Sequence, residues 1–137
     1  MPASTEVDGW FGKTEKVVYD AQVERARDGA RFVEIGCWKG RSSCHMAASI
    51  RSSGKQIELF CIDTWMGSEE HVNEQCVQSN TLYDEFLSNT QSFKDIVRPV
   101  RLPSVKASEN FEDDSCDFIF IDAAHDYENV VADIDAW

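Results

Sequence analysis

An α/β fold, in which a parallel sheet carries helices on both faces, is predicted by three observations. Apolar runs of strand length recur at Arg31–Ile35, Ile57–Ile62 and Phe118–Ile121, with a weaker run at Val97–Leu102. Segments with helical spacing of apolar residues lie between them. Phe118-Ile119-Phe120-Ile121 is apolar at every position, as a strand covered on both faces must be. Strands alternating with helices point to right-handed crossovers and a Rossmann-like sheet.

The elements follow in order. Residues 1–12 read as a loose lead-in, and residues 13–137 as the domain. From Thr14 to Asp28, Val17, Val18 and Ala21 mark a helix ended at Asp28-Gly29. After the first strand, Gly36–Gly40 is a tight turn. A helix follows from Ser42 to Ser52, with Cys44, Ala47, Ala48 and Ile50 towards the core and Gly54 as its stop. Residues 63–80, beyond the second strand, are polar and irregular, and long for a loop in a compact domain. Leu82, Phe86, Leu87 and Phe93 mark the next helix, capped by Asn80 or Thr81. Pro99 interrupts the weak strand, and residues 107–115 read as an acidic turn. Tyr127, Val130, Val131, Ile134 and Trp137 recur at helical spacing to the end.

Composition narrows the function. The chain has 137 residues, 42% hydrophobic and 11% aromatic, which fits one small globular domain. No apolar run reaches the roughly 20 residues that cross a bilayer. Met1 to Trp10 lacks the pattern of a signal peptide, so a soluble, cytoplasmic protein is expected. The net charge is −12, unevenly spread. Residues 1–55 hold 9 basic and 7 acidic side chains, whereas residues 56–137 hold 4 and 18. Such a surface repels phosphate backbones, so neither nucleic acid nor an anionic membrane is expected as partner. Cys37, Cys44, Cys61, Cys76 and Cys116 form no C-x-x-C pair and read as small buried hydrophobes. The three histidines have no zinc-ligand spacing.

In open α/β sheets ligands bind beyond the carboxyl ends of the strands, and three such ends are suggestive. Gly36 and Gly40 bracket Cys37-Trp38-Lys39 in a G-x-x-x-G turn, not the G-x-G-x-x-G of nicotinamide and flavin sites. A helix starts directly after it and offers free N–H groups to a carboxylate or phosphate. Asp63 follows the second strand, 27 residues after Gly36. An acidic residue about 20 residues beyond such a turn can hold a ribose diol. Asp122 ends the apolar strand, and His125, three residues on, has the side chain of a ready general base.

The combination E-I-G-x-x-x-G-x-S, I-D-T-W and F-I-F-I-D-A-A-H-D-Y-E-N-V resembles class I S-adenosylmethionine-dependent methyltransferases, particularly the small-molecule O-methyltransferase-like group. The likeness covers residues 31–137. It implies that Glu34 orients the first loop and the methionine ammonium. Gly36, Cys37, Trp38 and Gly40 would line the methionine moiety, and Ser42 would meet its carboxylate. Asp63, with Thr64 and Trp65 beside it, would hold the ribose. Ser104 matches an adenine-contacting position. Asp122 lies where relatives place the transfer centre and, in catechol-type members, a divalent cation such as magnesium. His125 falls at the place of the base that deprotonates the acceptor hydroxyl.

Two departures stand out. The usual Gly-Asp before His125 is Ala123-Ala124, and the sequence reaches only Trp137, where the family continues with a P-G-G turn, a fifth strand and a hairpin. The fold is thus expected without its C-terminal strands. The fourth strand becomes an apolar edge, and either a second copy covers it or the chain is a fragment. The leading expectation is methyl transfer to a hydroxyl of a small-molecule acceptor. The alternatives are an S-adenosylmethionine-cleaving lyase or hydrolase with an oligomer-built site, a non-catalytic binding fragment, or a nicotinamide oxidoreductase, against which the glycine spacing counts.

Overall fold

The computed structural model describes residue 7 and residues 11–67, 75–78, 80–122 and 127–137. Its elements are α1 (Lys13–Arg25), β1 (Ala30–Ile35), α2 (Arg41–Ser53), β2 (Ile57–Asp63), α3 (Gln75–Gln78), α4 (Leu82–Asn89), a 3-10 turn (Gln91–Phe93), β3 (Val97–Arg101), α5 (Ser104–Ser108), β4 (Phe118–Ile121) and α6 (Tyr127–Ala136). The four strands are all parallel in the order β3-β2-β1-β4. This is the Rossmann-like sheet that the sequence predicts, with β4 beside β1 and at the edge. Pro99 pairs with Cys61 on the other edge strand, where its missing N–H costs least.

Alternation along β1 separates two cores. Phe32 and Glu34 project to the face covered by α1, α2 and α4, where Tyr19, Met46, Ile50, Leu59 and Phe86 are buried. Val33 and Ile35 project to the opposite face with Ile62 and Ala107, against α5 and α6. That second face is less complete, and every residue of β4 stays half-buried.

Several expectations change. The α1 core face is Tyr19 and Val23, one turn apart, while Val17 is 68% exposed. Tyr19 wins because its ring packs edge-on against Phe118 and Phe120, with centroids 5.9 and 5.0 Å away. The helix stops at Arg25, where Lys55 Nζ donates to the carbonyls of Val23 and Glu24 at 2.8 and 2.6 Å. Before α1, Val7 and Phe11 are buried, and Phe11 stacks on Tyr19 and His45, so the core reaches back into the expected lead-in. On α2, Ala48 is exposed and Met46 takes the core position. Within the expected turn at 107–115, Ala107 is buried as part of α5. One helical turn, α3, falls inside the expected loop.

α2 is bracketed by Gly40 at φ 92° and Gly54 at φ 73°, a conformation that costs glycine little. At Gly40 the space is also filled, since a Cβ would lie 3.1 Å from Phe86 and from Thr90. No helix among the described residues is long and apolar enough to cross a membrane.

Candidate cofactor site at the carboxyl end of the sheet

Parallel pairing brings the carboxyl ends of all four strands to one side. Ile35 pairs with Ile62 and Ile121, and Asp63 with Arg101. The Gly36–Gly40 loop, the Asp63–Trp65 segment and Asp122 therefore share one edge of the sheet. Gly36, at φ 87°, turns the chain out of β1 and donates its N–H to the Ile62 carbonyl at 2.9 Å. Asp122 is exposed beyond β4, with its N–H on the Ile35 carbonyl at 2.8 Å. The structure thus brings these groups to one edge, as the strand order implies. His125 lies outside the described residues.

Asp63 joins the two loops. Its Oδ2 accepts from the N–H groups of Cys37 and Trp38 at 2.8 and 3.2 Å, and its Oδ1 from the N–H of Trp65 at 2.8 Å. A carboxylate offers about four lone-pair directions, so most of its accepting capacity already serves the loops. Trp65 is 1% exposed and donates Nε1–H to the Trp38 carbonyl at 2.9 Å. From α4, Asn89 Nδ2 donates to the Lys39 carbonyl at 3.0 Å. Thr64 turns its hydroxyl to the Met66 N–H at 3.3 Å.

Glu34 sits beneath this loop, in the core. Its two oxygens accept from Tyr19 Oη at 2.6 Å and Ser43 Oγ at 2.5 Å. Burial raises its carboxyl above the usual range, opposed by the hydroxyls of Ser43, Tyr19 and Ser42 and by the Cys37 thiol. The same burial and the neighbouring Glu34 charge raise the Tyr19 phenol. At 1% exposure, Glu34 acts from below, holding α1 and α2 to β1. Sequence reasoning identified the carboxylate but missed both partners. Ser43 was within reach, one residue past Ser42, whereas nothing local marks Tyr19.

The Cys37 and Cys61 thiols lie with the Glu34 carboxyl, ligand atoms within 4.8 Å of one another and all buried. Burial raises the Cys37 thiol well above its usual range and pushes Cys44 up to about 12. Thiols kept protonated in this way pack rather than react. Among the described residues Asp122 belongs to no cluster of three ligand groups. Ser104 donates its hydroxyl to the buried Asp133 of α6, and its carbonyl accepts from Trp137 Nε1 at 3.1 Å. Its hydroxyl is thus engaged within the fold. Ser42 is half-buried in the first turn of α2, a 13-residue helix whose leading N–H groups face this edge of the sheet.

Comparison with known proteins agrees with this arrangement. Residues 33–137 match the family model described as "Methyltransferase domain". The uncharacterised protein y4gI of Sinorhizobium fredii is 28% identical over 107 residues, 78% of this chain but 11% of that protein. The crystal structure of cofactor-bound Rv0187 from MTB aligns with a TM-score of 0.65 at 21% identity, over 97% of this chain and 53% of that one. A Staphylococcus aureus structure described as a candidate caffeoyl-CoA O-methyltransferase aligns at 0.60 and 22%, over 97% and 54%. The chain therefore spans about half the length of these solved relatives. With the family model covering most of its length, the chain belongs to the methyltransferase-domain family, of the class I S-adenosylmethionine-dependent kind that its motifs resemble.

Proposed function

We propose that this chain carries the cofactor-binding part of an enzyme that transfers a methyl group from S-adenosylmethionine to a hydroxyl of a small-molecule acceptor. The observation that carries this reading is the Asp63 staple, which holds the glycine loop after β1 against the end of β2 at the edge where open α/β sheets bind ligands. The family membership supports the choice of cofactor.

Within this reading Gly36, Cys37, Trp38 and Gly40 shape the seat of the methionine moiety, with Glu34 supporting it from below. Ser42 and the first turn of α2 meet the carboxylate, where helix N–H groups favour an anion. Asp63 and Thr64 lie at the ribose, and Ser104 beside the adenine. S-adenosylmethionine supplies an electrophilic methyl on a sulfonium centre. His125 takes the proton from the acceptor hydroxyl, Asp122 holds the acceptor near it, and the oxygen is aligned for in-line attack. An acidic chain suits a ligand bearing both a sulfonium and an ammonium. A second copy of the chain covers the open β4 edge. The half-buried Phe118–Ile121 run supports this, as does Ile134, 61% exposed on α6.

Calorimetric titration with S-adenosylmethionine and S-adenosylhomocysteine tests the core of the reading. Saturable binding of both is the expected result, and binding of neither would end it. Product analysis then separates a methylated acceptor plus S-adenosylhomocysteine from methylthioadenosine, the mark of cofactor cleavage. Light scattering tests the second copy, which a stable 15.5 kDa monomer excludes.

A further inference from the structure

We infer that Trp65 is a positioning residue of the cofactor site, setting the shape of the Gly36–Gly40 loop before any ligand arrives. The inference deepens the function proposed above and rests on it.

Trp65 and Trp38 stand at the ends of the two central strands, and both adopt left-handed backbone, at φ 53° and 51°. Bulky residues rarely do so, and such conformations persist only where the surroundings hold them. The two are joined directly, the Trp65 indole N–H donating to the Trp38 carbonyl at 2.9 Å. Asp63 closes the unit, taking the Trp65 N–H on one oxygen and the Cys37 and Trp38 N–H groups on the other. Trp38 is thus held at both its N–H and its carbonyl, by Asp63 at the end of β2 and by Trp65 two residues on.

The indole is itself anchored. Tyr83 and Phe86 of α4 lie against it, with ring centroids 4.6 and 4.7 Å away. Phe86 also packs where a Cβ on Gly40 would go, and Asn89 holds the Lys39 carbonyl. α4 therefore supports the loop at three successive residues, and Trp65 is the link to Trp38. Simple core filling at position 65 needs an aromatic ring but no N–H. The bond to the loop needs the N–H, and this difference makes the two roles separable.

Trp65→Phe keeps a ring against Tyr83 and Phe86 and removes the N–H donor together with part of the indole's volume. Wild type and variant are compared by amide hydrogen exchange of the segment 36–40 without ligand, and by titration with S-adenosylhomocysteine. Ile50→Val, a mild deletion in the α2 core, serves as a control for lost stability alone. In Trp65→Phe, exchange in the segment is expected to rise and affinity to fall about tenfold, the size of one lost hydrogen bond. Ile50→Val is expected to change neither. Unchanged exchange in the segment, or faster exchange with unchanged affinity, overturns the inference while leaving the proposed function standing. If wild type itself binds no S-adenosylhomocysteine, the proposed function fails and the assignment to a cofactor site fails with it. The exchange comparison then still reports whether Trp65 holds the loop.

Discussion

Removing the Asp63 side chain should destabilise the ligand-free protein, and by an amount that the structure sets. Asp63→Ala leaves the N–H groups of Cys37, Trp38 and Trp65 without their acceptor. A buried donor stripped of its partner costs about 1–3 kcal/mol. All three bonds are only part-buried, so water recovers some of this and about 1 kcal/mol each is the appropriate size. The total is about 3 kcal/mol, a large share of the roughly 5–15 kcal/mol that holds a domain folded. At about 3–4 °C per kcal/mol for a chain of this length, Tm should fall by about 10 °C. Asp63→Asn keeps one carbonyl oxygen and turns an amide NH2 towards the remaining donors, so about half that loss is expected. Differential scanning calorimetry without ligand measures both. A ligand contact alone would predict normal stability with lost cofactor binding. Asp63→Ala melting within about 2 °C of wild type would therefore refute the staple, as would Asp63→Asn melting below Asp63→Ala.

Glu34 gives a pH signature. Its folded carboxyl is raised above the ordinary 4.5, so the folded state binds this proton more tightly than the unfolded one. The associated stability is fully present below the unfolded value and is lost as pH rises through the folded one. The Tm of wild type minus that of Glu34→Gln should therefore decline as pH rises above about 4.5, and a flat or rising difference would count against it. Tyr19→Phe removes the 2.6 Å hydroxyl bond to Glu34 and should cost about 1–3 kcal/mol by urea denaturation. An unchanged midpoint would show that Ser43 alone suffices. Gly40→Ala meets both a left-handed φ and Phe86 with Thr90 at 3.1 Å; a loss of at least about 1 kcal/mol is expected from the backbone alone. In a thiol-alkylation time course on native protein, Cys116, half-buried, should react before Cys37, Cys44 and Cys61, all buried; early labelling of Cys37 would contradict its burial and raised thiol.

The fold was legible because its main signals are local. Phe118–Ile121 and Ile57–Ile62 declare themselves as strands, and Gly40 and Gly54 bracket α2 as punctuation should. What escaped depends on long-range contacts. Val17 and Val18 look like the core side of α1 by hydropathy. Tyr19 displaces them because Phe118, Phe120 and Glu34, all distant in sequence, make one buried place for a ring with a hydroxyl. The end of α1 is set likewise from outside, by Lys55 reaching back 31 and 32 residues to its last carbonyls.

The site shows the same division more sharply. Strand ends and glycines were readable, so it followed from order alone that Gly36, Gly40, Asp63 and Asp122 share one edge of the sheet. The direction of each side chain was not readable, and that direction determines its role. Glu34, next in line along β1, follows the strand's alternation into the core. It therefore supports the loop through Ser43 and Tyr19, and a ligand would feel it only through the loop. Asp63, at the very end of β2, reaches across to the neighbouring loop and gives most of its accepting capacity to backbone N–H groups. A motif that names an acidic residue in the right place thus identifies the neighbourhood of a ligand without establishing contact. Here two of its carboxylates first build the shape that a ligand would meet. Substitutions at these two positions should consequently be read against the stability of the empty protein before any loss of binding is attributed to a missing ligand contact.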